Sequence, residues 1–196
     1  MSAPVVIHAD ESCLGNGRDG DNPGGAGMLI ETAEGTAVVR RDLYLHAPAT
    51  TNNRMALAGA IAVMALLPDS RRQRVLYVSD SEYLVKGINE WMPGWKKRGW
   101  RRKEGPILNL ELWQVLDRLL TGRDVTFRWV RGHAGHAKNE YADALAVKAA
   151  EMQQTSQAAV ASELGQWLAA RRTRGEFADY DPDVDYRELA ASLDAR

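Results

Sequence analysis

Three runs of strand-forming residues occupy the first 46 positions, and helical periodicity begins only at Thr51. The runs are "PVVIHADES", "GGAGMLIETA" and "TAVVRRDLYLH". The link "EGT" between the second and third has hairpin chemistry, so three sequential antiparallel strands are expected. Between the first two lies "LGNGRDGDNPGG", whose Gly, Asn, Asp and Pro content is that of a loop longer than a tight hairpin needs, placed beside the acids that close the first strand.

Beyond the meander, helices and strands alternate. Met55, Leu57, Ala58, Ile61, Ala62, Ala65 and Leu66 recur at helical spacing until Pro68. "RVLYVSD" is a buried strand, "SEYLVKGINEWM" a helix capped at its start, "ILNLELWQVLDRLL" a second helix and "DVTFRWVRG" a fifth strand. A long helical pattern then runs from about Ala137 to Arg172. The class is α/β with a mixed sheet. Residues 1–153 read as one domain, with a basic protrusion at about 90–106. Residues 154–196 are Ala-rich and polar with an acidic cluster around Pro182, a tail of one or two helices packed loosely or against a protein partner.

Formal net charge is −1 from 25 basic and 26 acidic residues, so any nucleic-acid surface must be local. A single cysteine, Cys13, excludes an intramolecular disulfide and a Cys-rich zinc site, and fits a reducing cytoplasm. No basic leader precedes an apolar run, and no segment approaches the ~20 apolar residues of a bilayer span. A monomeric, cytoplasmic protein is expected.

Asp10 and Asp80 fall where strands end, and Asp143 lies on the late helix. Acids converging from separate elements are what hard cations such as Mg²⁺ require. The segments "DESCLGN", "TTNNRM", "SDSEYLVKGINEWMPGWKKRGWR", "LWQVLDRLL" and "WVRGHAGHAKNEYADALA" resemble, in order and spacing, type 1 ribonuclease H over roughly residues 5 to 150. The resemblance implies a ribonuclease H-like fold, with a five-stranded mixed sheet of three antiparallel strands and then two parallel ones, flanked by helices. It also implies metal-dependent cleavage of the RNA strand in RNA–DNA hybrids. Asp10, Asp80 and Asp143 match the family's metal-binding acids, and His133 matches a histidine that assists proton transfer. Two Mg²⁺ or Mn²⁺ ions about 4 Å apart would serve both the attacking water and the departing ribose oxygen.

One family acid is missing: the position after "NNRM" is Ala56. Three readings compete, namely a hybrid-binding protein that does not cut, an engineered Glu to Ala change, and relocation of the acid. Residue 11, usually glycine in the family, is Glu11, and an adjacent Asp-Glu pair resembles the type 2 enzymes. Neither decay nor a single engineered change would add an acid here, which favours relocation. Neighbouring strand residues point to opposite faces, so Glu11 must turn at the strand end to come within about 5 Å of Asp10 or Asp80. Glu82 and Glu140 are weaker candidates, each close in sequence to a metal acid.

Substrate contacts are expected in two places. "TTNN" offers hydroxyls, amides and helix N–H groups to a phosphate, with Thr51 and Asn52 matching the family's DNA-phosphate contacts. By the same resemblance Cys13, Asn16, Asn53 and Ser81 line the minor groove near RNA 2′-hydroxyls. "WMPGWKKRGWRRK" sets Lys96, Lys97, Arg98, Arg101, Arg102 and Lys103 among Trp91, Trp95 and Trp100, the composition of a nucleic-acid arm.

Overall fold

The computed structural model describes residues 3–15, 22–68, 72–132 and 134–194. Strands β1 (Val5–Cys13), β2 (Gly24–Glu34) and β3 (Ala37–Ala47) form the antiparallel meander, with a two-residue turn between β2 and β3. Then come α1 (Asn52–Leu66), β4 (Arg74–Ser79), α2 (Glu82–Lys86), a π-helical turn (Gly87–Trp91) and α3 (Met92–Lys97). They are followed by α4 (Leu110–Leu120), β5 (Asp124–Trp129), α5 (Ala137–Met152), β6 (Val160–Ala161), α6 (Leu164–Arg172) and α7 (Pro182–Ala191). β1 and β4, and β4 and β5, pair in parallel, giving the sheet order β5-β4-β1-β2-β3-β6.

The sheet thus has six strands rather than five. The extra strand comes from the presumed tail, and the same event divides the helical pattern expected to run from 137 to 172. Helix α5 ends at Gln153, which takes a left-handed conformation (φ 52°). The chain then follows the otherwise bare edge of β3: Ser156 N donates to Tyr44 O at 2.9 Å, His46 N to Thr155 Oγ1 at 2.9 Å, and Glu163 N to Asp42 Oδ2 at 3.0 Å. Helical periodicity in the sequence could not register this, because an exposed strand edge offers backbone groups a competing set of partners. The helix expected after Asp80 is also interrupted. Its middle widens into the π turn where Gly87 meets Trp113; a Cβ at Gly87 would lie 2.1 Å from that ring.

Alternation along the strands sorts the core into two layers. Val5, Ile7 and Ala9 of β1, Ala26 and Met28 of β2 and Tyr77 of β4 pack under α1 and α4. The opposite face carries Val6, Leu29, Leu76 and Val78 under α5, α6 and α7. Helix α5 lies close on this face because β2 presents glycines to it. A Cβ at Gly25 would come 2.0 Å from Ala146 O, and one at Gly27 2.3 Å from Ala142 O.

The tail is part of this domain. Leu164 and Leu168 pack with Leu29, Tyr141 and Leu145, while Tyr186 and Ala190 pack with Val6, Leu76 and Val78. Its apolar faces are therefore covered by the chain's own sheet, correcting the expectation of loose packing. A buried ion cluster fastens it. Glu31 is fully buried, with His8 Nε2 at 3.5 Å, Arg40 Nε at 2.8 Å and Lys138 Nζ at 2.8 Å, and Arg40 and Lys138 reach on to Asp183 and Asp185 of α7 at 2.6 and 2.7 Å.

Burial by itself would raise the Glu31 carboxyl. The hydrogen bond and charge of His8, then the charge and hydrogen bond of Lys138, outweigh it and hold the group below its ordinary 4.5. A carboxyl lowered on folding contributes stability that is complete above its unfolded value and is lost as pH falls through the folded one. Urea unfolding is therefore expected to show the midpoint dropping below about pH 4.5. Glu31→Gln should begin roughly 3 kcal/mol less stable and lose less across the same pH range.

Candidate active site

β1 continues to Cys13, but its parallel neighbour β4 stops at Ser79, in register with Ala9. Asp10, Glu11 and Asp80 stand just past that end, at the carboxyl edge of two adjacent parallel strands. One carboxylate oxygen from each lies within 4.8 Å of the others, the approach that the sequence required of Glu11.

The pleat explains how they meet. Asp10 pairs with Gly27, whose face is covered by α5; Glu11 pairs with Ala26, whose Cβ packs beside Gly59 of α1. Residues directly opposite one another on antiparallel strands share a face, so Asp10 turns toward α5 and Glu11 toward α1. Because β4 has ended, no backbone separates the two faces at this level, and both carboxylates reach Asp80 over its end. Glu11 therefore approaches the cluster from the α1 side. Ala56 of α1 is 4% exposed and lies in the hydrophobic core.

Each acid is held by a specific partner. Asn139 Nδ2 donates to Asp10 Oδ2 at 2.6 Å, Glu11 N donates to Asp10 Oδ1 at 2.7 Å, and the Ser81 hydroxyl donates to the Glu11 carboxylate. Ser81, expected as a helix cap, makes no capping bond with its side chain. Gly132 packs against Asp80: a Cβ there would lie 2.3 Å from Oδ2 and would push that carboxylate aside. Trp129 Nε1 donates to Asp80 O at 3.0 Å. Asp143 sits one helical turn beyond Asn139, outside the 4.8 Å group, and acts on Asp10 through its charge. Asn139 was missed in the sequence, although its i, i+4 relation to Asp143 was the available signal.

Burial, then the charges of Asp80, Glu11 and Asp143, push the Asp10 carboxyl up to about 9. Burial likewise raises Glu11 to about 8, against the Ser81 hydrogen bond and with help from Asp80. Like charges so close cannot all ionise without compensation. The donors are all carboxylate oxygens, which is the ligand set of a hard divalent cation, and its charge would remove the repulsion that raises both groups. The residues present fit such an ion.

The RNase H family model matches residues 2–151. The chain belongs to the ribonuclease H family. It is 49% identical over 143 residues to a ribonuclease H of Halorhodospira halophila, covering 72% of this chain and 89% of that one. The ribonuclease H of Stutzerimonas stutzeri is 46% identical over the same length. Among solved structures, LC9-RNase H1, a type 1 RNase H with the type 2 active-site motif, superposes with a TM-score of 0.82 at 48% identity, covering 90% of this chain and 85% of that one. This chain is a ribonuclease H enzyme of the α/β class.

The other expected residues of this ribonuclease H fall into three groups. Thr51 caps α1, its hydroxyl accepting from Arg54 N at 3.4 Å, and it is exposed with Asn53, while Asn52 is half-buried; Cys13 and Ser81 lie beside Glu11. Asn16 and His133 lie outside the described residues. The basic arm is the third group, and here the tryptophans differ from expectation. Trp95 is 9% exposed, and its ring sits 5.6 Å from Trp113 and 6.0 Å from Trp91; Trp91 and Trp100 are half-buried against the core. They anchor the arm rather than project from it. Trp91 and Trp95, with Tyr83, Arg102, Ile107 and Leu108, wall a cavity of about 290 Å³. Lys96, Lys97 and Arg98 are exposed, Lys96 being paired with Asp117 at 2.6 Å. Glu82 pairs with Lys86 on the surface at 2.8 Å, and Glu140 is half-buried on α5.

A carboxyl raised on folding penalises the fold progressively as pH rises from its unfolded value toward its folded one. In the presence of a chelator, the melting temperature of the native chain should fall between about pH 4.5 and 8 more steeply than that of Glu11→Gln. At pH 8 the variant should melt higher, by about 2–4 °C per kcal/mol of repulsion relieved, and Mg²⁺ should stabilise the native chain more than the variant. Parallel melting curves would show that Glu11 carries no such penalty.

Proposed function

We propose that this ribonuclease H hydrolyses the RNA strand of RNA–DNA hybrids with Glu11 in place of the acid absent at Ala56. Asp10, Glu11, Asp80 and Asp143 would hold two divalent cations, Mg²⁺ or Mn²⁺. When bound, these would neutralise charge at the scissile phosphate and lower the pKa of the attacking water. The observation that carries the reading is the meeting of Glu11, approaching from the α1 face, with Asp10 and Asp80 within 4.8 Å. LC9-RNase H1, with its type 2 active-site motif, supports it by likeness.

The chain's own residues bind and orient. Asn139 and the Glu11 N–H fix both oxygens of Asp10, and Ser81 fixes Glu11, so the carboxylates meet the substrate already arranged. The start of α1, with Thr51 and Asn52, holds a phosphate of the DNA strand through N–H groups and side chains. Cys13, Asn16, Asn53 and Ser81 would serve the minor groove near the RNA 2′-hydroxyls. Lys96, Lys97 and Arg98 neutralise backbone charge beside the groove walled by Trp91 and Trp95, with Trp100 packed behind. His133 takes part in proton transfer as the ribose 3′-oxygen departs, leaving 3′-hydroxyl and 5′-phosphate ends. The free thiol of Cys13 fits work in the cytoplasm, as a monomer.

Cleavage of a labelled hybrid with Mg²⁺ tests the reading. The native chain should cut; Glu11→Ala should lose about two orders of magnitude or more in kcat while still binding hybrid. A native chain that binds hybrid but is inert, and that Ala56→Glu makes active, would instead establish a binding protein. Replacing Lys97, Arg98 and Arg101 with Ala should raise KM and flatten its salt dependence by about 0.7 to 0.9 per phosphate contact removed, with kcat changed little.

A further inference from the structure

We propose that the C-terminal segment, residues 154–194, is a mounting for the catalytic carboxylates, and that Lys138 is the positioning residue through which it acts. The proposal rests on the reading of Asp10 and Asp143 as metal-holding acids. The family model ends at residue 151 and gives this segment no role.

Helix α5 brings two groups to Asp10: Asn139, donating to it at 2.6 Å, and Asp143, one turn further along the same face. The placement of α5 on β1 therefore sets the surroundings of Asp10. At its middle the helix is fixed by backbone contact with Gly25 and Gly27. Its first turn is mounted differently. A cavity of about 270 Å³ lies beside it, lined by His8, Val78, Arg128 and Asn139 and closed by Tyr180 and Leu189 of the tail. Ala137 packs into the apolar layer with Leu29, and beside the cavity polar contacts add to that hold.

Lys138 supplies them. It is 2% exposed, and its ammonium meets Glu31 Oε2 at 2.8 Å, Asp185 Oδ2 at 2.7 Å and Pro182 O at 2.9 Å. Two of these three partners belong to α7. That helix is itself fixed to the strands ending at the site: Tyr186 packs on Val6, Leu76 and Val78, and its hydroxyl donates to Pro4 O at 2.8 Å. Helix α7 thus grips β1 and β4, which lead to Asp10 and Asp80, and also the start of the helix that carries Asn139 and Asp143. With that grip released, α5 would pivot on its glycine contacts and carry Asn139 away from Asp10. A displacement of about 1 Å in such a group can cost up to a hundredfold in rate.

The test uses the full chain. Asp185→Ala removes the α7 carboxylate from the ammonium while leaving the buried Lys138–Glu31 pair, and Asp185→Glu restores a carboxylate. Ser156→Ala loosens the tail on the edge of β3, where its hydroxyl meets Tyr44 N and O, without touching α7 or Lys138. Asp185→Ala should lower kcat on a labelled hybrid about tenfold with KM held within about twofold, and should weaken Mn²⁺ binding to the free protein by calorimetry. Asp185→Glu should recover most of both. Ser156→Ala should lower the melting temperature yet keep native kcat and Mn²⁺ affinity wherever it is folded. Native kcat and Mn²⁺ affinity in Asp185→Ala would overturn the proposal. So would equal losses in Ser156→Ala, because the tail would then act only as a stabiliser. If the native chain does not cut hybrid, the ribonuclease reading falls, and the Mn²⁺ titrations still decide for or against the mounting.

Discussion

The pleat of β1 governs the site. Successive side chains leave a strand on opposite faces, so Asp10 and Glu11 could not meet in the interior of a sheet. They meet here because β4 ends at Ser79 while β1 continues, which leaves an open end over which both carboxylates reach Asp80. The same alternation gives Asp10 to α5, where Asn139 holds it, and Glu11 to the α1 side. An acid moved from α1 to the neighbouring strand residue thus enters the site from the same side. That geometry gives the Asp10–Glu11 pair a physical reason to substitute for a carboxylate at residue 56.

Concentrating these acids has an energetic consequence that shapes their surroundings. Burial and mutual repulsion raise Asp10 and Glu11 to about 9 and about 8, so the fold must hold them in place against their own charge. Hydrogen bonds from Asn139, Ser81 and the Glu11 N–H do so locally, and the close approach of Gly132 confines Asp80. On the face of the sheet covered by α5 and α7, a compensated cluster around Glu31 locks β1, β2, β3, α5 and α7 together. One polar centre is left short of positive charge and is suited to a cation; the other is complete and is suited to holding the frame.

Much of this was legible from residues alone. The meander, the strands at Val75 and Val125 and the helices at Met55 and Trp113 follow from periodicity and turn chemistry, which are local. Asp10, Glu11 and Asp80 were identifiable as strand-end acids within family-like text. The tryptophans of the basic arm misled because composition carries no direction: Trp91 and Trp95 pack against the core and also wall the adjoining cavity. The tail misled for a related reason. Its short apolar residues are spaced like those of a polar helix, and nothing local marks Val160 as a strand or Asp185 as the partner of a lysine 47 positions earlier.

Sequence by itself determined the order of elements as far as the start of α5, the residue types at the strand ends and the loss of one acid beside the gain of another. These depend on short-range preferences and on chemistry written into single residues. Tertiary structure decided that Glu11 reaches the cluster, that Asn139 holds Asp10, and that residues 154–194 complete the sheet and clasp α5. Each of these is a meeting of groups distant in the chain, set by where β4 stops, by how closely β2 lets α5 approach, and by which edge of β3 was left to pair.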